Sequence, residues 1–147
     1  FPTSAKEHFN VANLMSRIVE LLPESAPYFG KDALTDKPAR FFVTEIIREK
    51  ILTNYDKEVP YSTEVIVEKF DEKDNAIHIM AVIYVERDSQ KGILIGHGGS
   101  RLKKVGIEAR KDIEAFFGKR VFLELFVKVE DNWRNRVSKL KEFGYTE

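Results

Sequence analysis

The stretch Gly92-Ile93-Leu94-Ile95-Gly96-His97-Gly98-Gly99-Ser100 decides how this chain is organised. Five of the chain's eight glycines lie between Gly92 and Gly106. Three glycines around one histidine leave little side-chain bulk, so that another backbone can approach closely, and they permit positive φ angles. A lysine- and arginine-rich segment with helical periodicity begins at Ser100. Free N–H groups and the positive end of a helix favour a bound anion at such a place.

The composition describes a globular chain whose basic residues are unevenly distributed. Of the 147 residues, 43% are hydrophobic, which is enough for one domain with a core and a smaller additional part. The 24 basic and 24 acidic residues cancel. Residues 87–120 nevertheless carry nine basic and four acidic side chains. A local basic surface fits a localised polyanion site, and a solvated helix face is the alternative interpretation.

Several classes of protein are excluded by what the sequence lacks. It has no cysteine, which excludes disulfides and thiolate metal sites and fits a reducing cytosol. No apolar run approaches the 18 or so residues that a membrane span requires. The histidines are His8, His78 and His97, and their separation gives no metal-binding spacing, so no metal site is predicted. The sequence begins without Met or a signal peptide, and we expect a piece of a longer protein.

Hydrophobic periodicity and turn residues predict eight elements. Helices are predicted at residues 11–22, from Thr35-Asp36-Lys37-Pro38 to residue 55, from Asp88-Ser89 to residue 95, at 100–117 and at 132–143. Strands are predicted at 62–70, 76–86 and 121–129, with a hairpin turn at 71–75. Residues 23–37, with two prolines, a glycine and two aromatics, are interpreted as a linker.

The same periodicity predicts which side chains are buried. The first helix should bury one face, and the helix at 100–117 should bury a stripe that ends at Phe116. One face of the second strand should be buried through Ile77, Ile79, Ala81, Ile83 and Val85. Phe122 and Phe126, with Met80 and Tyr84, form a second aromatic sheet face. Packing under a flanking helix is favoured there over stacking with nucleobases.

The order of elements predicts an α+β fold. Two antiparallel strands form a hairpin, and a third strand returns after two helices, so it should run parallel to one of them. The result is a mixed three-stranded sheet with helices packed on one face.

The glycine run does not match the common nucleotide-binding and hydrolase motifs. A P-loop requires Lys-Ser/Thr after its second glycine and a strand before it, whereas His97 follows Gly96 and a helix precedes it. A dinucleotide fingerprint requires glycine where Arg101 stands. His97-Gly98-Gly99 is only faintly similar to a lipase oxyanion loop, and no Gly-x-Ser-x-Gly elbow exists.

A hairpin, a helix, a Gly-x-x-Gly loop and a basic helix together resemble the type II KH domain. In that family the loop clamps about four nucleotides of single-stranded nucleic acid. The resemblance implies that Gly96, His97, Gly98 and Gly99 hold the sugar–phosphate backbone, with Ile93, Ile95 and Leu102 as an apolar groove for bases. The expected phosphate contacts are Lys91, Arg101 and Lys104. A plain tight turn between two helices is the alternative.

Longer segments resemble the C-terminal part of the Era family of bacterial GTPases. They include Glu86-Arg87-Asp88-Ser89-Gln90-Lys91, Leu123-Glu124-Leu125-Phe126-Val127-Lys128-Val129 and the segment from Trp133 to Tyr145. The resemblance implies that residues 1–22 are the end of a GTPase domain, 23–37 a linker and 38–147 a KH domain with a C-terminal helix. Ser4, Ala5 and Lys6 resemble the last guanine-contacting motif of that GTPase domain.

The resemblance also sets expectations about function. The family uses GTP and Mg²⁺, but the Walker loop, the switch segments and the Asn-Lys-x-Asp motif are absent here. We therefore expect no enzyme activity and no cofactor in this chain. The implied ligand is single-stranded RNA at the 3′ end of 16S ribosomal RNA, in assembly of the small ribosomal subunit, by a cytoplasmic monomer. The alternative is a module that docks on a protein or on the inner membrane face. His97, where the family often has Lys or Asn, should soften the attraction for phosphate or make it depend on pH.

Overall fold

The computed structural model describes residues 1–26 and 37–145. The chain divides into two compact units, Phe1–Asp36 and Lys37–Glu147, and each is described by itself. Most of the predicted linker, including Tyr28 and Phe29, lies outside the described residues, as do Thr35 and Asp36 of the predicted helix start. The assignment of residues 1–22 to the end of a GTPase domain stays a prediction.

The first unit holds a tight turn and one helix, α1, at Val11–Leu21. The backbones of Ser4 and Phe9 pair across the turn, with N···O distances of 3.2 and 3.0 Å. The prediction that α1 buries one face was wrong, because no residue of this helix is buried. A unit of this size contains too few residues to enclose an apolar stripe.

The described part of the second unit, residues 37–145, contains four α-helices and three strands. They are α2 (Ala39–Asn54), β1 (Glu64–Glu72), β2 (Ala76–Val85), α3 (Asp88–Ile95), α4 (Ser100–Phe117), β3 (Arg120–Val129) and α5 (Val137–Glu142). Strand β1 begins and ends two residues later than predicted, because Pro60–Ser62 forms a 3₁₀ turn. The start of α3 is not capped by Asp88 or Ser89. Instead, the side-chain oxygen of Gln90 accepts the backbone N–H groups of Glu86 and Arg87 at 3.0 and 3.1 Å.

The three strands form one mixed sheet in the order β1-β2-β3. Strands β1 and β2 are an antiparallel hairpin with an irregularity between Val67 and Lys69. Strand β3 runs parallel to β2 and pairs from Ala76–Arg120 to Val85–Val129. Since β3 is an edge strand, one side of its backbone has no partner within the sheet. The predicted fold class and the parallel return are confirmed.

The core lies between the inner face of the sheet and helices α2, α3 and α4. All five residues predicted for the buried face of β2 are at most 2% exposed. Helix α2 contributes Val43, Ile47 and Ile51, and α4 contributes Val105, Ala109 and Ile113. Phe116 was predicted wrongly, because its ring is exposed and stacks on Phe42 at a centroid distance of 4.9 Å.

The predicted helix at 132–143 is broken into two pieces. Trp133–Asn135 forms a 3₁₀ turn, and α5 begins only after Arg136, whose φ of −103° and ψ of 108° are extended. Trp133 is buried, as an apolar anchor should be, but Val137 is exposed. The rings of Trp133 and Phe143 meet edge to face at 5.3 Å, and Phe143 also covers Tyr84 at 5.1 Å.

The sheet face opposite the core, which we call the outer face, is only partly covered. Phe143 covers Tyr84, but Phe122 and Phe126 on β3 remain 57% and 47% exposed. The hypothesis that these two rings pack under a helix was therefore wrong. Tyr84 pairs with Lys128 near one end of the β2–β3 ladder, whereas Phe122 pairs with His78 towards the other end.

Among the described residues, no helix is long and apolar enough to cross a membrane.

Candidate nucleic-acid interface

The glycine loop joins the end of α3 to the start of α4. Gly96 ends α3 with φ 70° and ψ −179°, and its N–H donates to the carbonyl of Gly92 at 2.9 Å. A Cβ at Gly96 would lie 2.6 Å from Cγ of Arg101. Only glycine fits this position, both for the backbone angle and for the contact.

The middle of the loop is open to solvent. Gly98 has φ 57° and ψ 22°, in the left-handed region, and a Cβ there would meet nothing within 4 Å. His97 beside it is exposed. A ligand backbone can therefore approach Gly98 and Gly99 without displacing any protein atom.

The C-terminal end of α2 supports this loop from behind. The buried hydroxyl of Tyr55 donates to the carbonyl of Leu94 at 2.6 Å, at the last turn of α3. Arg101 donates to the carbonyl of Asn54 at 3.2 Å, and its guanidinium lies 4.6 Å from the centre of the Tyr55 ring. The sequence predicts Arg101 as a phosphate contact. In the structure this side chain is held against α2, and its role as a phosphate contact stays a prediction.

The contribution of Tyr55 to the stability of the fold depends on pH. Burial raises the pKa of the Tyr55 phenol, and the nearby charge of Arg101 partly opposes this shift. A phenol whose pKa is higher in the folded state stabilises the fold fully below its unfolded pKa, near 10, and loses that contribution as the pH rises further.

We expect Tyr55→Phe to lower the free energy of unfolding by about 1–2 kcal/mol at pH 8, because the carbonyl of Leu94 loses its donor. The difference between wild type and variant should shrink above pH 10. Urea unfolding at pH 8 and pH 10.5 measures both effects. A difference that grows with pH would contradict this assignment.

A groove lies between α4 and the free edge of β3. It has a volume of about 360 Å³ and is lined by Gly99, Leu102, Lys103, Gly106, Ile107, Arg110, Leu123 and Leu125. Its floor is apolar and its rim is basic. Gly106 borders the groove, and a Cβ there would make an ordinary van der Waals contact with Cδ1 of Leu125 at 3.5 Å.

The cations around the loop differ in whether they form ion pairs. Among the described residues, Lys91, Lys103 and Arg110 make no ion pair, whereas Lys104 pairs with Glu108 at 3.8 Å. The sequence interpretation missed Lys103 and Arg110. Helical spacing from Gly99 was the available signal, since residues three, four, seven, eight and eleven positions further on share its face.

Of the other predicted site residues, some line the groove and some lie elsewhere. Leu102 lines the groove beside Gly99, as predicted. Lys91, Ile93 and Ile95 lie on α3, and none of them lines the groove that the described residues form. Ser4, Ala5 and Lys6 form the tight turn of the first unit. The functional roles of all these residues stay predictions. In the part of the chain that the structure describes, no cluster of His, Asp or Glu could hold a metal ion.

A helix, a Gly-x-x-Gly loop and a basic helix on the face of a mixed three-stranded sheet define a KH domain. The family model of the KH domain matches residues 58–134, more than half of the chain, and the chain belongs to this family. It is 52% identical over 145 residues to GTPase Era from Geotalea daltonii, a match that covers 98% of this chain and 49% of that protein.

Solved structures of Era show the same fold. Aquifex aeolicus Era bound to GDP and aluminium fluoride superimposes with a TM-score of 0.91 at 39% identity, over 99% of this chain and 50% of that one. An Era complex with MgGDPNP and nucleotides 1506–1542 of 16S ribosomal RNA gives the same TM-score and identity, over 99% of this chain and 49% of that one. The chain therefore spans about half the length of the relatives it matches, and it corresponds to the C-terminal part of Era.

Proposed function

We propose that this chain binds single-stranded RNA through the glycine loop and the groove beside it. The observation that carries the proposal is the contact between the two: Gly99 belongs both to the open loop and to the lining of the groove. The RNA backbone lies along Gly98 and Gly99, where no side chain intervenes. Its bases enter the groove over Leu102, Ile107 and Leu123, and Lys103 and Arg110 face its phosphates.

The RNA we propose is the 3′ end of 16S ribosomal RNA. The support is the similar Era chain, which forms a complex with nucleotides 1506–1542 of that RNA. The corresponding role is in assembly of the small ribosomal subunit, in the cytoplasm and as a monomer. The local basic surface of residues 87–120 is the support for contact with the inner membrane face.

We further propose that this chain neither binds nor hydrolyses GTP. The support is the sequence, in which the Walker loop, the switch segments and the Asn-Lys-x-Asp motif are absent. Titration with a fluorescent GTP analogue tests this directly. Saturable binding that depends on Mg²⁺ and involves Ser4–Lys6 would contradict it.

The affinity for RNA should fall steeply as the salt concentration rises. For contacts to about four phosphates we expect the logarithm of the association constant to fall with the logarithm of salt concentration with a slope of about −3. Fluorescence anisotropy with an oligonucleotide of the 1506–1542 sequence, at several salt concentrations, measures the slope. A scrambled oligonucleotide of the same composition is the control.

The alternative function is docking on a protein or a membrane. Absence of RNA binding at low salt would favour docking. Equal affinity for the specific and scrambled RNA would show backbone binding without sequence preference and would contradict the proposed 16S ligand.

Gly106 offers a separate test of the groove. We expect Gly106→Ala to raise the free energy of unfolding by about 0.5–1 kcal/mol, since alanine is the better helix former. Its Cβ makes only an ordinary contact with Leu125, so RNA affinity should change little. Gly106→Leu should fill the groove and weaken RNA binding. If Gly106→Leu bound RNA as tightly as Gly106→Ala, the bases would not lie in this groove.

A further inference from the structure

Phe122 on the outer face has an unusual environment for an aromatic ring in a sheet. It stacks on His78 of the neighbouring strand, with 4.7 Å between ring centroids and 19° between planes. More than half of the Phe122 side chain nevertheless remains exposed, and Phe126 is exposed on the same face. A flat ring held in place by a second ring is a preorganised surface for another planar group.

The surface around Phe122 is continuous with the groove. A hollow of about 370 Å³ surrounds Phe122 and His78, and Arg110 and Leu123 line both this hollow and the groove. Arg110 therefore stands where a chain leaving the groove would cross the free edge of β3.

The charges around the hollow favour a polyanion. Lys69 and Arg110 line it together with the single acid Glu124. Arg120 precedes Phe122 by two positions in β3 and lines an adjoining hollow with Arg110. Among the described residues, none of these three cations has an ion-pair partner. Unpaired cations beside an exposed aromatic ring are the features by which proteins hold single-stranded nucleic acid, through phosphate contacts and base stacking.

We propose that the RNA strand continues beyond the groove, passes Arg110 at the edge of β3 and stacks an unpaired base on Phe122. This inference rests on the proposed function and extends its footprint to the outer face. His78 fixes the orientation of the Phe122 ring from behind, and Lys69 and Arg120 neutralise the phosphates on either side. The site is sequence-tolerant, because every base offers a flat π-surface to an aromatic ring.

The test compares two lengths of RNA on the full chain. One oligonucleotide has five nucleotides and fills the groove, and two others extend it by four nucleotides at the 5′ or the 3′ end. Phe122→Ile keeps an apolar, strand-forming side chain but removes the ring, whereas Phe122→Tyr keeps the ring. Tyr61→Ala removes an exposed ring (73%, against 57% for Phe122) that lines neither the groove nor the hollow, and is the control.

The wild type should bind one of the extended RNAs more tightly than the five-nucleotide RNA. Phe122→Ile should weaken that extended complex by about fivefold or more and leave the short one unchanged. Phe122→Tyr and Tyr61→Ala should behave as wild type. A 2-aminopurine in the extension should be quenched on binding to wild type and not on binding to Phe122→Ile.

Three results would overturn the inference while the proposed function stands. They are equal affinity of the wild type for short and extended RNAs, undiminished binding of the extended RNA by Phe122→Ile, and an equal loss for both lengths. The second result would show that the Phe122 ring takes no part in RNA binding, and the third that it acts through the fold of β3. If the wild type bound none of these RNAs, the proposed function itself would fail.

Discussion

Replacement of Gly98 by Asp should lower the affinity for single-stranded RNA by roughly 100-fold or more. A carboxylate at this position would stand where the RNA phosphate approaches the open loop. Two like charges about 4 Å apart near a protein surface repel by about 4 kcal/mol, which exceeds the free energy of a hundredfold change in affinity. No protein atom lies within 4 Å of the new Cβ, so the fold should accommodate the side chain.

Gly98→Asn is the matched control for this experiment. Asn and Asp have the same shape, and both tolerate the left-handed backbone that Gly98 adopts, so any strain is shared. Only the charge differs. Anisotropy titrations of both variants with the same RNA measure the effect, and thermal melts establish that both are folded. If the two variants bound RNA equally, the loop would not face a phosphate.

Gly96 would be a poorer place for the same test. A side chain there would collide with Arg101, which holds the loop to the end of α2. A loss of affinity could then result from displacement of the loop or from blocking of the RNA site, and the experiment would not separate the two causes. The structure therefore favours Gly98 over Gly96 as the informative position.

Replacement of Trp133 by Ala should lower the free energy of unfolding by about 3–5 kcal/mol. Trp133 is 3% exposed and contacts the rings of Phe143 and Tyr145. The hydroxyl of Tyr145 in turn donates to Glu64, a buried carboxylate on β1 that also pairs with Arg48 at 3.3 Å. Loss of the indole should thus release the C-terminal segment from the sheet. Urea unfolding and limited proteolysis after residue 136 measure the two effects.

Trp133→Phe separates packing from hydrogen bonding at this position. The indole Nε1 is buried and has no hydrogen-bond partner among the described residues. A buried donor without an acceptor costs about 1–3 kcal/mol, and phenylalanine removes that cost along with part of the ring. We expect Trp133→Phe to lose less than about 1.5 kcal/mol. A loss as large as that of Trp133→Ala would mean that the indole N–H does have an acceptor.

Elements whose apolar residues repeat regularly and whose ends are marked by turn residues could be predicted from the sequence. Helix α4 has the predicted bounds, because a stripe of apolar residues repeats along it and Gly118, with φ 65°, ends it. The buried face of β2 followed from strict alternation. The Gly-x-x-Gly loop was found because its three glycines exceed what a turn requires.

Other features depend on tertiary contacts that no local pattern carries. The break at Arg136 could not be predicted, since no proline or glycine marks it and burial of Trp133 determines where the chain turns. Burial of Phe116 was predicted from its period, and packing of Phe122 under a helix from the aromatic face it shares with Phe126, but neither pattern shows whether another element covers the face. Lys103 and Arg110 became site residues only when β3 was placed opposite α4.

The parallel pairing of β2 with β3 has a consequence for folding kinetics. Every residue pair in this ladder, from Ala76–Arg120 to Val85–Val129, closes a long loop that contains α3, the glycine loop and α4. The entropy of closing such a loop is lost before the ladder contacts form, which slows folding. The glycine loop connects the two helices of that segment. Substitutions that restrict the backbone of Gly98 should therefore change the folding rate, which stopped-flow refolding measures.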